Sequence, residues 1–164
     1  MADGKVVVFE TNHGAYEVTF NSDTPVATGN MLEKVEAGFF NNLTFHRVVK
    51  GFVIQGGDPD GTGMGGGQMK MDPIGKNSNV KGTISMASGS RNKPITDQSD
   101  CQFFINTADN VRLDDYGFVA FGKVTKGYEV IDKIENVRCV RGNDGAMSSP
   151  VEKVVILKAW VRQD

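Results

Sequence analysis

The segment that decides the fold reads Phe45-His46-Arg47-Val48-Val49-Lys50-Gly51-Phe52-Val53-Ile54-Gln55-Gly56-Gly57-Asp58. Two short β-branched and aromatic runs, 44–48 and 52–55, flank a Lys-Gly pair and stop at Gly-Gly-Asp, as expected of a strand, a tight turn and a second strand. Alternation puts Phe45 and Arg47 on one side of the first strand, and sets Phe52 and Ile54 opposite Val53 and Gln55 on the second. An arginine and a glutamine then stand among large apolar side chains, a mixed lining suited to a concave site. Composition alone leaves Arg47 as a surface charge.

The same β signature recurs on both sides of this segment. Residues 5–10 are β-branched and aromatic, and residues 14–21 alternate Tyr16, Val18 and Phe20 on one face, with Asn12, His13 and Gly14 as the turn between them. Residues 82–87, 102–106, 117–124 and 154–161 are further strand candidates. Helical spacing appears twice. Thr24 followed by Pro25 reads as an N-cap with proline in the first turn, and Thr28, Met31, Leu32 and Val35 form a stripe that Gly38 ends. Gly29 inside that helix either packs closely or weakens it by up to about 1 kcal/mol. The second helix, over 128–136, carries Val130, Ile131 and Ile134. About eight strands with only two helices exclude a βαβ repeat. They predict an all-β fold, a closed eight-stranded antiparallel β-barrel capped by two α-helices, closure removing the exposed edges. With no repeat or linker, residues 1–164 are expected to form a single domain.

Charge and composition narrow the chemistry. Lys and Arg total 18 against 20 Asp and Glu, a net charge of -2, so no nucleic acid partner is expected. No apolar run approaches the roughly 20 residues of a membrane helix, and the first residues lack the features of a secretion signal, so no membrane association and a cytoplasmic location are expected. The two cysteines, Cys101 and Cys139, are too few for a disulfide framework and are expected as free thiols. Glycine makes up 20 of the 164 residues, and much of it lies in the run GGDPDGTGMGGG over 56–67. That run is a loop, but it lacks a following Gly-Lys-Ser/Thr and no helix begins after it, so it is not a phosphate cradle. The long connections 56–81 and 88–100 are the kind that carry function. With two histidines and no HExxH or CxxC pair, neither a metal nor another cofactor is expected.

The pattern FHRVxxGFxxQGGD over 45–58, together with Gly61-Thr62-Gly63, the 82–87 strand, Gln102-Phe103-Phe104-Ile105, Leu113-Asp114 and the run VAFGKV over 119–124, resembles the cyclophilins. These are peptidyl-prolyl cis-trans isomerases, and within them the likeness is to the small cytoplasmic bacterial form; it spans essentially the whole chain. The resemblance implies the capped eight-stranded barrel and rotation of X-Pro bonds without a covalent intermediate. The implied partners are proline-containing peptides and unfolded or folding proteins; for the oligomeric state a monomer is the default expectation. It implies Arg47 as the catalytic residue and Phe52, Val53, Phe104 and Leu113 as a proline pocket. Gln55 and Gln102 match substrate-side hydrogen bonders, the backbone of Ser88 matches a position that pairs with the peptide, and His46 shapes the site. Core packing stays open for Phe104, because Phe103 and Phe104 face opposite ways on a strand.

A prolyl amide need only be twisted, over a barrier of roughly 18–20 kcal/mol. The twisted nitrogen becomes pyramidal and accepts a hydrogen bond that the planar amide refuses, so a fixed guanidinium is worth more in the transition state than in either ground state. The sequence departs from the better-known eukaryotic members at four places. Arg112 stands at their tryptophan, Phe118 at their pocket histidine, Val53 at a common methionine, and Ser88-Gly89 at an Asn-Ala pair. Arg112 removes an indole donor and an apolar face, so cyclosporin is expected to bind weakly. Two other readings are weighed against this one. An inactive scaffolding module would be favoured by loss of Arg47, which is present. A barrel holding a small apolar ligand is disfavoured, because eight strands can be filled by side chains alone.

Overall fold

The computed structural model describes residues 4–73, 77–90 and 92–163. Val6–Thr11 (β1) and Gly14–Phe20 (β2) pair as an antiparallel hairpin around Asn12 and His13. Their alternating side chains Val7, Phe9, Tyr16, Val18 and Phe20 all enter the core. Pro25–Glu36 (α1) follows, then Arg47–Val49 (β3), Val53–Gly56 (β4), Gln68–Met69 (β5), Thr83–Met86 (β6), Gln98–Ser99 (β7) and Phe103–Asn106 (β8). Arg112–Asp115 (α2), Ala120–Lys126 (β9), Tyr128–Glu135 (α3), Cys139–Arg141 (β10), Met147–Pro150 (β11) and Ile156–Val161 (β12) complete the order. One antiparallel sheet runs β12-β1-β2-β9-β6-β8-β4-β3, and β5-β7 and β10-β11 form two small ladders. Phe9, Tyr16, Phe20, Phe40, Phe45, Phe103 and Phe121 fill its concave interior, each at most 1% exposed.

The expected closed barrel with two caps is not what forms. The sheet is an open, strongly curled half-barrel, because its edge strands β12 and β3 do not pair with each other. Residues 42–45 lie between them instead: Asn42 N donates to Ile156 O (2.6 Å), Ile156 N to Leu43 O (2.7 Å) and Phe45 N to Val154 O (2.9 Å). Thr44 bridges to both Val155 and Asp58. A β3 of three residues is too short to carry a closing ladder, and this stitch satisfies the edge in its place. The third helix is α2, a single turn of four residues that no periodicity could reveal.

The stitch also corrects the placement of Phe45. The chain leaves extended pairing around Thr44, so Phe45 turns into the core at 1% exposure while Arg47 faces outward beside Gln55, its partner across β3 and β4. Phe52 sits in the tight turn before β4, where Phe52 N donates to Val49 O (3.0 Å), and packs with Val53 rather than opposite it.

In α1 the buried stripe is Ala27, Met31 and Val35. Thr24 makes no side-chain cap bond to the helix backbone. The cap comes from far along the chain: Asp72 accepts Val26 N through Oδ1 and Ala27 N through Oδ2, both at 2.9 Å. A carboxylate there also complements the positive end of the helix. Gly29 is exposed, and a Cβ built on it would meet nothing within 4 Å, so it weakens the helix without a packing return. Cys101 and Cys139 are free thiols. Among the described residues, no helix is long and apolar enough to cross a membrane.

Candidate functional site

The outer face of the sheet carries one row of side chains across four strands. Arg47 pairs with Gln55, Gln55 with Phe104, and Phe104 with Ser85. Val48 and Ile54 on the same strands point into the core, as alternation requires. Adjacent to that row is a second apolar cluster, separate from the main core: Val53, Phe104 and Leu113 are buried, with Phe52, Ala87, Tyr116 and Phe118 around them. Phe104 and Phe118 meet edge to face at 5.5 Å. Phe52, Val53, Ala87, Phe104, Leu113 and Phe118 of this cluster, together with Arg47, Gln55 and Ser88, line a slot of about 150 Å³.

Residues far from the slot in sequence hold its walls. Leu113 rides on α2, which Asp114 fixes by accepting Asn79 N and Asn79 Nδ2, both at 2.8 Å, and the Ser78 hydroxyl. Asn79 Nδ2 also donates to Phe118 O (3.0 Å) and Asn79 Oδ1 accepts from Ser85 Oγ (2.6 Å), which binds the Phe118 wall to β6 behind it. Asn79 is fully buried and so satisfied on every side.

At the polar end, Arg47 is the corner. Its Nε donates to Asp144 Oδ2 at 2.8 Å, from a residue 97 positions away, and its Nη1 donates to Gln55 Oε1 at 3.1 Å. Its guanidinium carbon stands 5.9 Å from the centre of the Phe52 ring. Gln55 Nε2 passes the chain on to Gln102 Oε1 (3.0 Å), and Gln102 Nε2 donates to Gly63 O (3.1 Å) and Gly65 O (2.9 Å). The Gln102 amide is thereby spent inside the protein. A wider polar basin of about 430 Å³, bounded by His46, Thr62, Asn143, Asp144 and Ser149 among others, opens on the other side of Arg47.

The glycine-rich run has its own anion. The Asp58 carboxylate accepts the backbone N–H groups of Asp60 (2.8 Å), Thr62 (3.1 Å), Gly63 (2.6 Å) and Gly65 (3.1 Å). Burial works to raise its pKa, but the four N–H bonds outweigh it and hold the carboxyl below its usual range. This wrapped carboxylate is the reason the loop keeps its shape, and it leaves no nest for a phosphate. His46 lies beside it with neither ring nitrogen hydrogen-bonded among the described residues. Burial, helped by the Arg47 charge and opposed by Asp58, holds its pKa below the ordinary value.

All ten side chains singled out in the sequence therefore fall on one face. Arg47, Phe52, Val53, Gln55, Ser88, Phe104, Leu113 and Phe118 line the slot itself; Gln102 lies behind Gln55, and His46 lines the basin. Ser88 Oγ is tied to Asp97 O at 2.7 Å. Sequence reasoning missed Asp144 and the Asn79 to Asp114 clamp. Asn143-Asp144-Gly145 is ordinary hairpin-turn chemistry, so nothing local signals a contact with Arg47.

The sequence matches the family described as cyclophilin type peptidyl-prolyl cis-trans isomerase/CLD over residues 6–161. The chain belongs to the cyclophilin family. It is 37% identical over 164 residues to peptidyl-prolyl cis-trans isomerase A of Dickeya dadantii, covering 93% of this chain and 82% of that one. It is 36% identical over 173 residues to peptidyl-prolyl cis-trans isomerase B of Escherichia coli, covering 96% and 100%. The crystal structure of a cyclophilin type isomerase from Cryptosporidium parvum superposes with a TM-score of 0.82 at 32% identity, covering 98% and 99% of the two chains. Similar cyclophilins occur in Arabidopsis thaliana and Aspergillus fumigatus as well, so the likeness marks the family across bacteria and eukaryotes and not one bacterial branch. The protein is a cyclophilin-type peptidyl-prolyl cis-trans isomerase, and proline-containing peptides are what this family binds.

Proposed function

We propose that this cyclophilin holds a proline ring in the slot between Phe52, Val53, Phe104 and Leu113 while Arg47 donates to the prolyl nitrogen as the amide twists. The observation that carries this reading is the setting of the guanidinium. Arg47 forms the polar wall of the apolar slot, its Nε and Nη1 are anchored to Asp144 and Gln55, and its Nη2 has no hydrogen-bond acceptor among the described residues. A donor held still before the nitrogen pyramidalises does not have to reorganise when it does. With a proline ring seated, the slot's apolar walls lower the local dielectric around that bond and strengthen it. Gln55 orients the arginine and faces the peptide, Gln102 orients Gln55, the Ser88 backbone pairs with the extended chain, and Phe118 closes the wall beside Phe104. His46, without a proton to transfer in a bond rotation, shapes the basin. The Cryptosporidium parvum relative was also solved in the presence of the dipeptide Ala-Pro, a ligand of the class proposed for this slot.

In the same reading residues 1–164 are one domain of the small cytoplasmic bacterial kind, working as a monomer without cofactor or nucleic acid on proline-containing segments of unfolded and folding proteins. Arg112, exposed at the start of α2, keeps cyclosporin binding weak; an Arg112→Trp variant that bound it no tighter in a calorimetric titration would overturn that point. Exchange spectroscopy on a short X-Pro peptide tests the main claim. Cross-peaks between cis and trans forms, with shifts confined to slot residues, are expected; catalysed exchange with shifts elsewhere would refute the site.

A further inference from the structure

We propose that Asp144, in the β10-β11 turn, is a positioning residue for Arg47, its carboxylate fixing the plane of the guanidinium so that Nη2 is the donor presented to the slot. This rests on the reading of Arg47 as the catalytic donor. The carboxylate is itself held: Oδ1 accepts Ala146 N (2.9 Å) and Ser148 Oγ (2.6 Å), leaving Oδ2 for Arg47 Nε (2.8 Å). Ser148 is only 2% exposed, so the turn cannot re-aim the oxygen cheaply. On its other side the guanidinium is tied through Nη1 to Gln55 Oε1. Two acceptors from separate elements, each anchored in turn, fix a planar group that would otherwise rotate at the end of a long side chain. The Arg47 side chain is 32% exposed and that of Asp144 26%, and ion pairs so exposed add little to stability. Their consequence is geometric, and a misplacement of about an ångström at a reacting centre is worth up to ~100-fold in rate. A carboxylate that acted only by neutralising the arginine would slow the reaction instead, and the sign of the rate change on its removal separates the two.

The experiment compares Asp144→Ala and Asp144→Asn with the wild type by exchange spectroscopy on the same X-Pro peptide, alongside thermal unfolding and the side-chain Nε–H resonance of Arg47. Asp144→Ala is expected to lower the exchange rate at saturating peptide about tenfold, with peptide affinity within about twofold, a melting temperature lowered by no more than a few degrees for the lost Ala146 N and Ser148 Oγ bonds, and faster solvent exchange of the Arg47 Nε–H. Asp144→Asn keeps an oxygen for Nε and should recover most of the rate. An unchanged rate in Asp144→Ala would overturn the proposal as a surface ion pair, and a raised rate would overturn it as a brake. The Arg47→Ala variant keeps the two failures apart: if it loses catalysis while Asp144→Ala does not, only the positioning role is refuted, whereas if Arg47→Ala itself stays active, the arginine reading falls.

Discussion

Phe103 and Phe104 are neighbours in sequence and belong to different hydrophobic clusters. Phe103 sits in the main core against Phe9, Phe40 and Phe45, while Phe104 lies across the sheet with Val53 and Leu113 in the slot. One residue step carries the chain from the main core to the slot. Phe103→Ala should therefore destabilise by about 3–5 kcal/mol, leaving a closed void. Phe104→Ala should cost less, because its cavity opens to solvent, but should weaken binding of an X-Pro peptide by about tenfold or more, roughly 1.4 kcal/mol. Urea unfolding and peptide titration on both variants decide this; equal stability losses with unchanged affinity would contradict it.

Arg47→Ala should reduce catalysed exchange about 10²-fold, equivalent to roughly 2.7 kcal/mol of transition-state stabilisation. Peptide affinity, carried by the apolar slot, should fall far less. Arg47→Lys should recover only part of the rate, since an ammonium cannot meet Asp144, Gln55 and the substrate together. A loss of rate merely proportional to the loss of binding would make Arg47 a substrate-positioning group.

Helix α1 offers a paired stability test. Gly29→Ala should stabilise by about 0.4–1 kcal/mol, because the site is exposed and open and alanine removes freedom from the unfolded chain. Asp72→Ala should destabilise by about 0.5–2 kcal/mol by stripping the cap from Val26 and Ala27. Denaturant midpoints moving in the same direction for both variants would show that the helix end is not limiting.

His46 should make stability fall on mild acidification. Its folded pKa lies below the ordinary value because of burial, so between those two values the unfolded chain binds the proton and the folded chain does not. The contribution of the neutral ring is complete above about pH 6.5 and is lost as the pH falls through the folded pKa. His46→Phe, which forfeits no hydrogen bond to a described residue, should flatten the dependence of the urea midpoint on pH between about 5 and 7. Parallel curves for the two proteins would assign the effect to other groups.

Much of this architecture is local, and so was legible in the chain. The strands of the main sheet, the hairpin at Asn12 and His13, and the helices α1 and α3 follow from period and turn residues, which act within a few positions. The ten residues of the proposed site came from the family resemblance, carried by the motif over 45–58 and by separate later segments, and the fold gathers them around the slot and the adjoining basin. Tertiary structure alone decided three things. It left the sheet open, because residues 42–45 occupy the edge that a closing ladder would need. It capped α1 with Asp72, whose position in the sequence says nothing of its distance from Ala27. It also brought Asp144 across 97 positions to Arg47, a contact made by curling the sheet until the β10-β11 turn meets β3. Long-range contacts of this kind depend on where whole elements pack, and no local pattern of residues encodes that.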